Sequence, residues 1–363
     1  MTSSISRRDF LKLSGVGLGA LTLNTAFAPA ARLLAPPPQF PDAPRLGRIF
    51  GKTEVRSAPS WDAPITETLY DDAVVPWLRE TAARTLDFNQ INQRWVEIPQ
   101  GYVFAHYIQP VRNEPNTPLT AMPEGQSGFW AEVTVPYVDF SIANPPARSF
   151  FLRNLIEQKL PTRFYYSQVL WVDQIQPAED GRILYRLTER YGNPGDIFWA
   201  DARAFRPITE ADLAPISPDV DPNDKRIVVN ITYQTLTCYE GKQEVYFCRT
   251  STGVADKSTP VGTLHTWRKL VSVRMASGTG ASGWDTPGVS WTTLVKGDGV
   301  AIHSTFWHNN YGQKRSHGCI NVTPEDARWV FRWTTPYAPL DTGDITVQWP
   351  NHGTIVQVEE RLF

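Results

Sequence analysis

Near the carboxy-terminal end of this 363-residue chain, a thiol stands two positions after one imidazole and sixteen after another. The stretch Val300-Ala301-Ile302-His303-Ser304 is followed by Ser316-His317-Gly318-Cys319-Ile320-Asn321-Val322. A free cysteine has a pKa of about 8.5, so at neutral pH it needs a base or a positive potential before it attacks. Two histidines compete for that role. His303 ends an apolar strand pattern, and His317 falls on the same side of an extended backbone as Cys319. Gly318 allows close backbone approach, and the amides of His317, Gly318 and Cys319 could form a nest for a developing negative charge. A nucleophile, a base and an anion-stabilising pocket are what acyl transfer through a covalent intermediate requires.

The same residues admit blander readings. A free cysteine is commonly a small buried hydrophobe. His303, His308, His317 and Cys319 are zinc-ligand types, yet their pairs lack the two-to-four-residue spacings of a zinc cage. His308 lies in Trp307-His308-Asn309-Asn310-Tyr311-Gly312 and is expected to shape a wall of the site rather than act as base.

Several elements must hold these groups. Thr323-Pro324-Glu325-Asp326 reads as a helix start: an N-cap, proline in the first turn, then acids at the positive end. Ala327, Val330 and Phe331 form its buried face, and Pro336 ends it. Upstream, residues 276–299 combine glycines with Trp284 and Trp291, the composition of a flap that lies over a ligand. Arg226 to Tyr239 reads as one long strand, with Ile227, Val229, Ile231 and Tyr233 on one parity. Glu240-Gly241-Lys242 then turns the chain back. That turn sets Cys248 opposite about residues 233–235, out of reach of Cys238 for a disulfide, so both are expected to be reduced.

Composition bounds the remainder. Apolar residues make up 41% and charged residues 20%, which excludes wholesale disorder. The net charge is −2. The first thirty residues carry three positive charges and one negative, so without them it becomes −4. No basic stripe remains, and nucleic acid is not an expected partner. Thirty prolines and thirteen tryptophans indicate a turn-rich, mainly β protein with aromatic surfaces.

Residues 1–30 contain Arg7-Arg8-Asp9-Phe10-Leu11-Lys12, a weakly apolar stretch, and small residues at Ala26, Ala28 and Ala30. They look like a twin-arginine export signal, which places the protein in the cell wall, the periplasmic space or at the cell surface. Left uncut, the segment would anchor the chain to the membrane. Residues 31–46 form a proline-rich linker. Residues 47–115 contain Val55-Arg56-Ser57-Ala58-Pro59 and a compact β run, and resemble the SH3-like modules of bacterial wall proteins. Residues 116–215 read as a second small β module, 224–350 as the domain holding Cys319, and 351–363 as a tail.

His-x(12)-Ser-His-Gly-Cys-x-Asn resembles the signature of the L,D-transpeptidase catalytic domain of YkuD type, and Thr259-Pro260-Val261-Gly262 fits that family's Thr-Pro-x-Gly. The resemblance implies a β-sandwich-like domain with a short helix after the cysteine. Cys319 would be the nucleophile and His303 the general base and acid. The Ser304 carbonyl would orient the ring, and His317, Gly318 and Cys319 would build the oxyanion site. Ser316 and Asn321 would hold the loop, with Trp307, His308, Tyr311, Arg315 and Trp291 around the substrate. Many relatives have arginine where this chain has Asn321, so a substrate carboxylate would need Arg315 or Lys314 instead. The implied partners are peptidoglycan stem peptides, and carbapenem-type β-lactams as covalent inhibitors. The implied chemistry needs no metal and no cofactor. A wall-degrading cysteine peptidase places its cysteine before its histidine, the reverse of the order here. A non-catalytic wall-binding protein has no use for a thiol beside a base.

Overall fold

The computed structural model describes residues 36–192, 195–278, 284–348 and 351–361. The expected export signal and the tip of the expected flap, 279–283, lie outside the described residues.

The fold is mainly β, arranged as five sheets among the described residues. Residues 46–111 supply a three-stranded sheet, with Leu46–Ile49 at its centre, and a five-stranded antiparallel one. Residues 129–207 supply a seven-stranded antiparallel sheet around Phe164, Leu170, Tyr185 and Phe198, flanked by the helix Phe150–Glu157.

The last two sheets carry the Cys319 region. In the first, Lys225–Asn230 lies between Thr235–Glu240 and a parallel strand, Ile355–Glu359. In the second, the hairpin Arg268–Ser277 and Trp284–Leu294 continues into Ala301–Ser304, which pairs in parallel with Ile320–Val322. Ile227, Val229, Ile302, Ile320, Val330 and Val356 meet in one buried core between them.

Three expectations change here. The segment 351–363 is no tail, because Val356 and Val358 face the core and their strand lies between two others. The long strand from Arg226 is two strands. The Asn230 side chain accepts from the amides of Thr232 (3.1 Å) and Tyr233 (3.0 Å), which bends the chain. Residues 276–299 are mostly a β-hairpin continuous with the sheet rather than a loop.

Cys238 and Cys248 are both free and buried. A bulge after Cys238 shifts the register so that Cys248 faces Leu236, not residues 233–235.

The helix Pro324–Trp333 runs behind the Cys319 strand. Thr323 Oγ1 accepts from the Asp326 amide at its start (3.1 Å). At its carboxy-terminal end two buried lysines satisfy carbonyls: Lys225 Nζ donates to Trp333 O at 3.0 Å, and Lys269 Nζ to Thr334 O and Pro336 O at 2.7 Å each.

Candidate active site

Parallel pairing of Ala301–Ser304 with Ile320–Val322 sets His303 opposite Asn321 and brings Cys319 to the start of its strand, beside Ala301. Gly318 precedes it with φ of +116°, a conformation that side chains other than glycine rarely adopt. Cys319 and His303 line one open cleft of about 530 Å³, with Trp307, His308, Lys314, Arg315, Ser316, His317, Asn321, Trp284 and Thr286.

The His303 ring has a defined tautomer. Its Nδ1 lies 2.8 Å from the Ser304 carbonyl, which can only accept, so Nδ1 carries the proton and Nε2 keeps the lone pair. Ser304 is itself held: Ser290 Oγ donates to Ser167 O (2.9 Å), so Ser304 Oγ donates to Ser290 Oγ (2.7 Å).

His308 is committed on both sides. Its Nδ1 accepts from the Asn310 amide at 3.2 Å, and its Nε2 meets the Asn321 side-chain amide at 3.1 Å. A neutral imidazole has one acceptor nitrogen, so Nε2 is the donor and the Asn321 amide presents its oxygen. Burial, then the Arg315 charge, hold His308 at about 3. His308 is therefore a fixed, neutral ring in the lining of the cleft.

Burial pushes His303 down to about 4, against the opposing Ser304 carbonyl. Burial also raises the Cys319 thiol, against the Ala301 amide, which favours the thiolate. The sulfur lies 3.7 Å from the Gly299 carbonyl. Both shifts favour the neutral forms, thiol and imidazole, at neutral pH.

The loop before Cys319 is tied down from several directions. Ser316 Oγ donates to Cys319 O (2.5 Å) and accepts from the Gly318 amide (3.1 Å). The Gly318 N–H is thereby taken within the loop. Thr259 of the Thr-Pro-x-Gly run is buried; its Oγ1 donates to Gly318 O at 2.9 Å and accepts from the Gly253 amide at 3.0 Å. Sequence inspection missed Gln234 and Thr252. Gln234 grips Thr252 through its amide and hydroxyl (2.8 and 2.7 Å), and Thr252 O accepts from the Arg315 and Ser316 amides. No local pattern in the sequence announces a partnership eighteen residues apart.

Two expected substrate contacts are elsewhere. Trp291 is 1% exposed and packs against Phe331 in the core, on a strand whose alternation is broken by a bulge and by left-handed backbone at Gly288 (φ +67°) and at Trp291 itself (φ +56°). Trp284, on the same strand, is the tryptophan that faces the cleft, stacked 6.2 Å from the His317 ring. Tyr311 is buried beneath the loop, its hydroxyl 3.0 Å from Val322 O and 2.6 Å from Thr305 Oγ1. Arg315 does line the cleft, and no carboxylate pairs with it among the described residues, whereas Lys314 lies 3.7 Å from Glu360. No cluster of metal-ligating side chains occurs among the described residues.

A family model described as the L,D-transpeptidase catalytic domain, YkuD, matches residues 224–358. The chain is 28% identical over 153 residues to L,D-transpeptidase 1 of two Mycobacterium tuberculosis strains, a match over 39% of this chain and 61% of each relative. It thus spans about three fifths of the length of these curated relatives. An L,D-transpeptidase structure from Mycobacterium smegmatis aligns at 18% identity and TM-score 0.32, over 52% of this chain and 99% of that one. The catalytic domain of the E. faecium L,D-transpeptidase acylated by ertapenem aligns at 24% identity and TM-score 0.29, over 38% and 98%. Residues 224–358, which contain the thiol, the imidazole and the loop that holds them, match the family model of the YkuD L,D-transpeptidase catalytic domain.

Proposed function

We propose that this protein is a peptidoglycan L,D-transpeptidase working through Cys319. The observation that carries the reading is the opening of Cys319 and His303 into one cleft, with the His303 tautomer set so that Nε2 can take a proton. In the first half-reaction the Cys319 proton passes to His303 Nε2 while sulfur attacks the carbonyl of the third residue of a tetrapeptide stem. The His317 and Cys319 amides meet the oxyanion. The tetrahedral adduct collapses to a thioester, and the His303 proton leaves on the amine of the terminal D-alanine. In the second, a side-chain amine of a neighbouring stem gives a proton to Nε2 and attacks the thioester. A 3→3 cross-link forms and the thiol is restored. Water in place of the amine gives carboxypeptidase chemistry.

Arg315 is the cation placed to hold the donor carboxylate. Carbapenem-type β-lactams would be captured by the same sulfur through ring opening. Export by the twin-arginine route would bring the folded domain to the wall.

Mass spectrometry of muropeptides after incubation with the protein tests the reading. Cross-linked dimers and released D-alanine are expected with the native chain and neither with Cys319→Ala. Exchange of a terminal D-amino acid by the alanine variant would refute the assignment.

A further inference from the structure

The amino-terminal module reaches the loop that lines the catalytic cleft. Arg48 sits on its strand Leu46–Ile49, yet is only 3% exposed, because its guanidinium is the meeting point of all three parts of the chain. Within the module it donates to Asp72 Oδ1 at 2.7 Å and to Gln109 Oε1 at 2.9 Å. Asp72 Oδ2 in turn accepts from Arg163 of the middle module at 2.7 Å, and Arg163 also pairs with Asp139 at 2.9 Å. Tyr165 of the same module lies beneath the Arg48 guanidinium, 4.2 Å away. Across the seam Arg48 Nη2 donates to the Phe306 carbonyl at 2.5 Å. The Phe306 ring stacks on Tyr165 at 5.7 Å.

Phe306 is two residues past Ser304, in the loop that carries Trp307 and His308 into the cleft. Trp307 packs edge-on against the Phe306 ring at 5.0 Å and lies 6.0 Å from the His303 ring. The loop is gripped a second time from the same module: Asn309 Nδ2 donates to Ala105 O at 3.1 Å and Ile108 O at 2.9 Å. Without these bonds Phe306 O and Asn309 would be polar groups buried at a seam without partners, an arrangement that costs free energy unless the loop moves.

We infer that the amino-terminal module is a working part of the catalytic cleft, with Arg48 as a positioning residue that sets the 305–310 loop, and with it Trp307 and His308, for the stem peptide. This rests on the proposed transpeptidase reading for its consequence, though not for the clamp itself. Cys319 and His303 are held by their own strands and carbonyls, so the clamp governs substrate fit more than nucleophile chemistry.

The full chain, with Arg48→Met and Arg48→Lys, tests this by two independent readouts. Hydrogen–deuterium exchange of a peptide covering 304–312 reports the clamp without any reaction. Transfer kinetics on a tetrapeptide, alongside alkylation of Cys319 by iodoacetamide, report its consequence. Expected for Arg48→Met, with unchanged far-ultraviolet circular dichroism, are faster exchange at 304–312, KM raised about tenfold, kcat within about threefold and alkylation within about twofold. Arg48→Lys keeps the charge but not the two-pronged fork and recovers part of the loss. If Arg48→Met does not fold, Asn309→Ala loosens the same loop from the catalytic side and is held to the same expectations. Unchanged exchange at 304–312 in a folded variant overturns the inference, as does an unchanged KM, or alkylation falling in step with transfer. If the native chain transfers nothing, the functional reading fails, and the exchange result alone still decides the clamp.

Discussion

The neutral resting pair makes a quantitative claim about pH. With His303 at about 4, roughly nine-tenths of the rings are neutral at pH 5, whereas a ring at the ordinary 6.5 would be only about 3% neutral there. The acylation rate needs neutral imidazole, so kcat/KM at pH 5 should stay within about twofold of its value at pH 7; an ordinary histidine predicts a loss of about 25-fold. The assay is the rate of Cys319 acylation from pH 4 to 8, with circular dichroism at each pH to show that the chain stays folded. Stability moves in the same direction. The folded pKa lies below the unfolded one, so the His303 contribution is complete above about pH 6.5 and is lost as pH falls toward about 4. That loss is about 3 kcal/mol for a ring so buried. An acid limb centred near 6.5 in folded protein, or thiolate absorbance at pH 7 that disappears in Cys319→Ser, would refute the neutral pair.

Thr259→Val keeps shape but strips Gly318 O and the Gly253 amide of their shared partner, and should lower kcat/KM by about tenfold or more, while Thr259→Ser stays close to native; equal losses in both would remove the hydroxyl from the explanation. Trp284→Ala should raise KM for the stem peptide with little change in melting temperature. Trp291→Ala should instead destabilise by about 3–5 kcal/mol, read by denaturant unfolding of the catalytic domain signal. A thiol reagent should titrate Cys319 in the native chain, and all three cysteines only after denaturation, because Cys238 and Cys248 are buried and their thiols raised by burial.

Residue types and short spacings were enough to single out a candidate nucleophile, two candidate bases and the helix that follows them. Each of those signals is local: a glycine whose conformation frees the turn, a cap three residues before its acid, a strand ending in a histidine. Local patterns also marked Thr259, though not its partner. The distinction between His303 and His308 could not be read the same way. It depends on which ring nitrogen meets a carbonyl and which an amide: His303 Nδ1 meets the adjacent Ser304 carbonyl, His308 Nδ1 the Asn310 amide, and His308 Nε2 the Asn321 side chain from the strand Ile320–Val322.

Facing was legible only where alternation was unbroken. Trp284 and Trp291 look alike as residues in a glycine-flanked stretch, and between them the strand is bulged and turns left-handed at Gly288 and Trp291, with one ring in the cleft and the other in the core. A single Asn230 side chain split an apparently continuous strand, and residues 355–359 read as a tail because their pairing partner lies more than a hundred residues upstream.

The identity of the reacting atoms therefore belongs to the linear chain, since a thiol, an imidazole and a glycine have their chemistry wherever they stand. Their protonation, their tautomers and the walls around them belong to the folded molecule. Burial sets how costly a charge is, and hydrogen-bond partners, from the adjacent Ser304 carbonyl to Arg48 across 258 positions, set where each proton resides and where each loop can move.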